Sequence, residues 1–239
     1  MIMKPDDLTL VRKIPMFAKV TEDQLSGLVA GGSLQRYPRG TLLFNEGEQA
    51  DFLMVLLEGG VELFARDQDG NEAVVDILFP VDSFILAAAL TGAPYLMSAR
   101  TLVPSRILLL ETGAFRRAVA ADPDLSTPVM AELAQHFRRL VRQIKDLKLR
   151  TGVQRLGCYV LALAGEADEV TLPFDKRTLA SRLGMTAENL SRAFSALRDH
   201  GLAVQGGRLI IQDRDHLVAF SRPAVLIDAD EGPLSIIAE

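Results

Sequence analysis

A chain of 239 residues is long enough for one large domain or two modest ones, each with its own hydrophobic core. Its net charge of −5 excludes a protein that binds nucleic acid through bulk positive charge, so any such binding must rest on local placement of basic residues. No apolar run reaches the ~18–20 residues of a membrane-spanning helix, and the N-terminus lacks the apolar core of a signal peptide, so we expect a cytoplasmic protein that does not engage a membrane.

The N-terminal half of the chain combines helical segments with a series of short strands. Residues 6–31 predict helix, with a capping box formed by Thr21 and Gln24. From Ser33 to about Leu110, short apolar runs alternate with breaks such as PRG, NEGE, EGG, DQDG and PS, and Asp69–Gly70 predicts a hairpin. This spacing predicts an antiparallel sandwich or barrel, interrupted by a helical turn or two in DSFILAAALTG.

A long helix with a regular apolar stripe follows a short helix that ends at Asp122–Pro123. The stripe repeats at intervals of three and four residues, and its members are Met130, Leu133, Phe137, Leu140, Ile144 and Leu147. One interpretation is a helix packed on its own domain, and the other is a two-chain coiled coil. Three heptads with a narrow stripe favour the coiled coil and therefore a homodimer. Thr151–Gly152 then predicts a domain boundary.

The segment that carries the main functional prediction is residues 175–199, DKRTLASRLGMTAENLSRAFSALRD. It predicts two short helices with a sharp turn at Gly184 and an N-cap at Thr186. Their inner faces comprise Leu179, Ala180, Leu183, Leu190, Phe194 and Leu197. Beyond them, LAVQGGRLIIQD predicts two strands joined at Gly206–Gly207, a wing. The acidic segment 222–239 is either a disordered end or an edge segment packed on the body.

The outer face of the second helix carries groups that can read the edges of base pairs. Arg192 can donate two hydrogen bonds to O6 and N7 of guanine, and Glu188 can accept one from N4 of cytosine. Ser191 can reach an adjacent base or phosphate. Phosphate contacts are expected at the helix starts, from Lys176, Arg177 and Thr186. The alternative is a surface helix with an ion pair between Glu188 and Arg192, but the turn, the cap, the inner face and the wing together favour DNA binding.

With these motifs in place, the chain from about residue 14 to 220 resembles the CRP/FNR family of bacterial transcription regulators. YPRGTLLFNEGEQADFLMVLLEGGVELF resembles the family's cyclic-nucleotide-binding-type β-roll, whose turns fall at Gly40, Gly47 and Gly59 or Gly60. The striped helix is similar to the family's dimerisation helix. The segment 188–192, ENLSR, resembles the E-x-x-S-R recognition pattern of the FNR branch, which implies an inverted-repeat DNA site with half-sites of the TTGAT type.

The resemblance implies an α+β chain in four parts. These are a β-roll sensor domain with N-terminal helices over 1–121, a dimerisation helix over 122–150, a winged helix-turn-helix over 151–221 and an acidic tail over 222–239. The implied partners are double-stranded DNA, a second copy of the chain and RNA polymerase, and the implied role is that of a transcription regulator such as an activator. A ligand-binding module whose C-terminal domain contacts a protein partner is the alternative, which the 8 basic and 8 acidic residues of 151–221 slightly favour.

Enzymatic activity is not expected from the sequence. The chain shows no set of nucleophile, base and acid, no metal-ligand spacing and no glycine-rich loop that would hold a phosphate, so neither a catalytic nor a metal site is predicted. The single cysteine, Cys158, excludes an intrachain disulfide, and the resemblance then excludes an FNR-type iron–sulfur cluster, which needs several cysteines. We expect Cys158 to be a small buried hydrophobe.

Two departures from the family pattern bear on the effector. Cyclic-AMP-binding members carry F-I-G-E…R-S-A, whereas this chain has FILA at 84–87 and MSA at 97–99. Ala87 replaces the glutamate that would hold the ribose, and Met97 replaces the arginine that would neutralise the cyclic phosphate. A buried phosphate without a countercharge is costly to desolvate, so no tight binding of a cyclic nucleotide, cyclic AMP included, is predicted.

An effector pocket of largely apolar character is predicted in the same region. Its residues are Phe84, Leu86, Ala87, Met97, Ser98 and His136. Some nitric-oxide-responsive family members hold haem here, so the resemblance makes haem a candidate cofactor, with His136 as the axial ligand and Met97 and Met130 as weaker options. The alternative for His136 is a histidine that flanks the dimer interface.

Overall fold

The computed structural model describes residues 5–18, 20–172, 175–205 and 207–228 of the chain. These residues form two compact units, the first reaching to His136 and the second beginning at Phe137. None of the described helices combines the length and apolar composition that a membrane crossing requires.

The first unit contains several short helices and the start of one long helix. They are α1 (Pro5–Val11), a 3₁₀ turn (Pro15–Phe17), α2 (Glu22–Ala30), α3 (Leu86–Thr91), α4 (Thr112–Ala121) and α5 (Pro123–Leu149). The single helix predicted over 6–31 is therefore wrong, because Ile14, which precedes a proline, is extended at φ −74° and ψ 126°. The predicted capping box is confirmed, since the backbone N–H of Thr21 donates to Oε1 of Gln24 over 2.7 Å.

The sheet of the first unit is antiparallel throughout. Its strands are β1 (Ser33–Tyr37), β2 (Leu42–Phe44), β3 (Phe52–Arg66), β4 (Glu72–Leu78), β5 (Asp82–Phe84) and β6 (Ser98–Glu111). The order is β1-β6-β3-β4, with β2 also pairing with β6 and β5 with β3. The hairpin predicted at Asp69–Gly70 is confirmed, because it joins β3 to β4 and Gly70 has φ +82°.

Two strand ends predicted from the sequence are wrong, because β3 and β6 each continue through the expected break. The register between the strands shifts three times between Leu56 and Val61. At this irregularity Gly59 has φ +98°, and the Ser105 hydroxyl lies 3.2 Å from the backbone N of Gly60. A bulge of this kind accommodates Pro104, which has no N–H to donate, without ending the strand.

Both faces of this sheet are buried, which explains the continuous apolar runs in β3 and β6. Leu53, Val55 and Leu57 face the core formed with the helices. Met54 and Leu56 face a second core inside the sheet, together with Phe44. Alternate residues of one strand thus enter different cores, as the two-residue period of a strand requires.

The second unit contains the C-terminal part of α5 and a small α+β domain. Its further elements are α6 (Gly152–Ala164), β7 (Glu169–Thr171), α7 (Lys176–Arg182), α8 (Ala187–Arg198), β8 (Leu202–Gln205), β9 (Arg208–Ile211), α9 (Arg214–Ser221) and α10 (Val225–Asp228). The predicted wing is confirmed as the hairpin β8–β9, and β7 adds a third strand that the sequence did not predict. Of its predicted turn, Gly206 lies outside the described residues, and Gly207 has φ +89°.

Candidate nucleic-acid interface

The helices α7 and α8 form a helix-turn-helix whose local geometry follows from its caps and its turn. Asp175 caps α7 by accepting from the N–H of Thr178 over 2.9 Å, and Thr186 caps α8 by accepting from the N–H of Asn189 over 3.2 Å. Between them Gly184 has φ +62°, and an added Cβ there would lie 2.8 Å from Cδ2 of Leu147. The left-handed conformation therefore favours glycine at this turn, and a side chain there would also displace the end of the Leu147 side chain.

The inner face of the helix-turn-helix is buried, as predicted. Leu179, Leu190 and Leu197 are at most 1% exposed. They join a core that includes Leu156 of α6 and Leu209 of the wing. This packing fixes which side of α8 points outward.

The residues that the sequence assigns to DNA are all exposed. The exposed residues are Lys176, Arg177, Thr186, Glu188, Ser191 and Arg192. Three of them lie in the first half of α8, and Thr186 directly precedes this helix. Lys176 begins α7, and its Nζ lies 5.5 Å from the centre of the Phe194 ring. The structure therefore places these polar groups at the helix starts and on the outer face of α8.

A buried arginine holds the turn in place through hydrogen bonds that the sequence alone does not predict. Arg155 of α6 is 9% exposed. Its guanidinium donates to the carbonyl oxygens of Leu183 and Arg150 over 2.8 Å each, and it lies 3.5 Å from that of Gly184. The available signal was a lone basic residue inside the apolar stretch VQRLGCYVLALA. Arg155 thereby joins the end of α5, α6 and the turn before α8.

A second network holds the start of the acidic tail. The Arg150 guanidinium donates to Asp146 over 2.9 Å and to both carboxylate oxygens of Asp228 over 2.7 and 2.5 Å. Asp228 hydrogen bonding raises the pKa of Arg150. Burial opposes ionisation of Asp228, but the bonds from Arg150 and the backbone N–H of Ala224 outweigh it and lower the pKa of this carboxyl. The tail is therefore packed on the body of the second unit as far as residue 228, in agreement with one of the two alternatives. Residues 229–239 lie outside the described residues.

The predicted dimerisation stripe is exposed on the single chain. Met130, Leu133, Phe137, Leu140, Ile144 and Leu147 are between 36% and 67% exposed. Earlier on the same helix, Leu125 and Val129 are at most 2% exposed and belong to the core of the first unit. Among the described residues, the start of the helix therefore packs on the first unit, whereas the apolar stripe stays largely exposed.

The residues predicted to line an effector pocket are not gathered on one wall. Phe84 belongs to the core inside the sheet, Met97 is partly buried against that core, and Leu86 belongs to the core under the helices. Ala87 is exposed, and the buried Ser98 hydroxyl accepts a hydrogen bond from the N–H of Glu46 over 3.0 Å.

The sixth predicted pocket residue, His136, lies in a polar environment. Its Nε2 is 3.2 Å from Oε1 of Glu132, one turn earlier on α5. Asp82 of β5 lies close to both side chains.

The remaining histidines and the cysteine lie in the second unit. Nδ1 of His200 is 3.2 Å from Nε2 of His216, and the His200 ring stacks on Phe220. Cys158 is 4% exposed, as expected, and its thiol lies 3.3 Å from the carbonyl oxygen of Ser221. Burial raises the pKa of Cys158 to about 12, so its thiol is protonated at neutral pH.

Two family models match the chain, the cyclic nucleotide-binding domain over residues 34–122 and the Crp-like helix-turn-helix domain over 154–220. The CRP-like cAMP-activated global transcriptional regulator of Mycobacterium tuberculosis is 27% identical over 194 residues, which cover 78% of this chain and 87% of that protein. The nitrogen fixation regulation protein FixK of Azorhizobium caulinodans is 24% identical over 200 residues, which cover 80% and 79%.

Solved structures agree with these matches. A Ruegeria pomeroyi protein described as a candidate cyclic nucleotide binding protein is 32% identical, with a TM-score of 0.59 over 91% of this chain and 97% of that one. FixK2 from Bradyrhizobium japonicum, at 21% identity, shows the same fold with a TM-score of 0.68 over 84% and 99%. The named relatives are regulators and not enzymes, which confirms that expectation. With a cyclic nucleotide-binding domain preceding a Crp-like helix-turn-helix, the chain belongs to the CRP/FNR family of transcription regulators.

Proposed function

We propose that the protein is a homodimeric regulator that reads an inverted-repeat DNA site of the kind used by the FNR branch. The observation that carries this proposal is the division of α8 into a buried inner face and an exposed outer face with Glu188, Ser191 and Arg192. A helix held in this way can enter the major groove with its N-terminal half.

Each polar residue of the outer face has a role that its chemistry supports. Arg192 pairs with O6 and N7 of guanine, and Glu188 accepts from N4 of cytosine. Ser191 lies beside them and contacts an adjacent base or phosphate. The cationic and hydroxyl groups at the helix starts bind phosphate and fix the register on the duplex, and these are Lys176, Arg177 and Thr186.

A second copy of the chain completes the site. The exposed apolar stripe of α5 repeats with the heptad period of a parallel two-stranded coiled coil. Pairing two such helices removes the stripe from water and supplies a second recognition helix. Two recognition helices in successive major grooves lie about 34 Å apart and read an inverted repeat.

Two substitutions on α8 test base reading, Arg192→Ala at the interface and Arg198→Ala as its matched control. Arg192→Ala should cost ~1–3 kcal/mol at one base pair and relax discrimination there. Arg198→Ala removes an exposed charge from the far end of α8 and should leave discrimination unchanged. Gel-shift titrations against an inverted-repeat site and its single-base variants measure both. An equal loss for Arg192→Ala on all sequences, or no DNA binding by the unaltered protein, contradicts the proposal.

A protein partner for the C-terminal domain is the second candidate function. The balance of 8 basic and 8 acidic residues over 151–221 favours it. The same titration separates the two candidates, because a domain that contacts only protein shows no preference for the inverted repeat. For a DNA-binding regulator we further propose RNA polymerase as a partner and the cytoplasm as its location.

We also propose that the effector is not cyclic AMP, although the Mycobacterium tuberculosis relative is named as cAMP-activated. Ala87 is exposed and neutral, and Met97 packs against the inner core of the sheet. Neither side chain supplies the polar contact to ribose or the charge for a cyclic phosphate. Isothermal titration with cyclic AMP should therefore show no binding in the micromolar range, and tight binding contradicts this proposal.

Haem, the cofactor that the family resemblance names, does not fit the surroundings of His136. A haem requires an apolar slot beside its axial ligand. Here the histidine nitrogen faces the carboxylate of Glu132 at 3.2 Å, and Phe84 and Leu86 are packed in two different cores. The absorption spectrum of the purified protein with added haem tests this, since a Soret band that His136→Gln removes would restore haem as the ligand. An iron–sulfur cluster is not proposed, because the chain has one cysteine.

A further inference from the structure

Three potential metal ligands converge in the first unit from two different elements. They are the carboxylate of Asp82 on β5, the carboxylate of Glu132 on α5 and the imidazole of His136 one helical turn later. One ligand atom from each lies within 4.8 Å of those of the other two. Glu132 is 7% exposed, and the His136 and Asp82 side chains are partly buried.

The secondary structure holds these groups in place. Glu132 and His136 are four residues apart on α5, so they project from the same face of the helix. Asp82 lies opposite Leu56 in the pairing of β5 with β3. The pairing of β5 with β3, and the anchoring of α5 in the core by Leu125 and Val129, give the cluster a rigid base.

The donor set matches a divalent transition-metal ion. One imidazole nitrogen with two carboxylate oxygens suits Zn²⁺ and its first-row neighbours better than Mg²⁺ or Ca²⁺, which prefer oxygen alone. Ligands of a tetrahedral ion with bonds of about 2.0–2.2 Å lie about 3.4 Å apart. Small side-chain rotations therefore close this cluster around one ion, and the fourth position stays open for water or a small ligand.

The electrostatics of the cluster favour the same occupant. The carboxylates of Asp82 and Glu132 lie close together and are at least partly buried, so they repel each other when both are ionised. An ion of charge +2 between them replaces that repulsion by two attractions and takes the lone pair of His136. We propose that Asp82, Glu132 and His136 bind one divalent transition-metal ion of the Zn²⁺ class, which joins β5 to α5.

The position of this site gives it a regulatory consequence. Asp82 lies two residues before Phe84, where the predicted effector segment begins, and His136 directly precedes Phe137 of the dimerisation stripe. An ion that joins the two elements stiffens the start of the stripe relative to the sheet. Its binding does not depend on DNA, so failure of this proposal leaves the proposed DNA-binding function intact.

Zinc binding to the full-length, tag-free protein tests the site directly. After removal of metal with EDTA and dialysis, equilibrium dialysis against Zn²⁺ should give one ion per chain. His136→Gln and Asp82→Asn should each weaken binding at least about tenfold. His216→Gln is the matched control, because it removes an imidazole from the His200–His216 pair instead and should leave the affinity unchanged.

Thermal unfolding separates loss of the ion from loss of the fold. In EDTA, His136→Gln and the unaltered protein should unfold at similar temperatures, and added Zn²⁺ should raise the midpoint of the unaltered protein alone. Asp82→Asn provides the same comparison if His136→Gln does not fold. The proposal would be overturned if the unaltered protein bound no zinc, if the two ligand variants bound zinc as tightly as the unaltered protein, or if His216→Gln lost the ion.

Discussion

At the residue scale, the buried guanidinium of Arg155 holds the turn between α7 and α8, which positions the recognition helix. Arg155→Met keeps an apolar side chain of similar length but leaves the carbonyl oxygens of Leu183 and Arg150 without their charged donor. Hydrogen bonds to a charged group contribute about 1.5–3 kcal/mol each, and buried carbonyls are costly to leave unpaired. We expect a loss of about 2–3 kcal/mol in the free energy of unfolding of this domain, measured by urea titration.

The control is an arginine whose ion pair is exposed. Arg208→Met removes the 2.8 Å pair with Glu169, in which the side chains are 57% and 49% exposed, and should change stability by less than about 1 kcal/mol. Equal losses in the two variants would show that Arg155 does not brace the turn. The sequence predicted the cap at Thr186 because a cap depends on neighbours three residues away. It did not predict the role of Arg155, whose acceptor at Leu183 is a backbone carbonyl 28 residues later and has no sequence signature.

At the element scale, the apolar stripe of α5 makes the clearest prediction. Phe137 is 67% exposed on the single chain, at a core position of the heptad pattern. Phe137→Glu would bury an unpaired carboxylate in the paired helices, which should raise the dimer dissociation constant at least about 100-fold. Analytical ultracentrifugation measures this constant. Lys145→Glu, a larger charge change one residue after a stripe position, should leave the dimer intact, and dissociation in both variants would contradict a dimer seam at Phe137.

Helices and strands were predictable where the local sequence pattern determines them. They were not predictable where pairing between distant segments determines them. The hairpin at Asp69–Gly70 and the helix pair around Gly184 follow from local turn chemistry. The continuous strands β3 and β6 do not follow from local chemistry. Gly59 and Pro104 predict strand ends, and the bulge that lets the strands continue depends on the pairing of β3 with β6. The expected effector pocket stays a prediction, because strand alternation and the turn into α3 place Phe84 and Leu86 in separate cores.

At the scale of the whole molecule, the net charge of −5 has the same sign as that of the proposed DNA ligand, so binding must depend on local contacts. Neutralising phosphates releases condensed counterions, so the logarithm of the binding constant falls with the logarithm of salt concentration by about 0.9 per phosphate contacted. The slope therefore counts local contacts and is insensitive to the overall charge. A regulator with few basic residues at its interface should show a modest slope.

The salt dependence also tests whether both subunits of a dimer contribute the same phosphate contact. Lys176 is exposed at the start of α7, and its replacement by alanine removes one phosphate contact from each subunit. The slope should fall by about 2 units, with a similar loss of affinity on all sequences, because phosphate contacts carry no base information. Arg66→Ala removes an exposed charge from the hairpin of the first unit and should leave the slope unchanged. A fall of only about 1 unit would indicate a single bound recognition helix, and no fall would remove Lys176 from the interface.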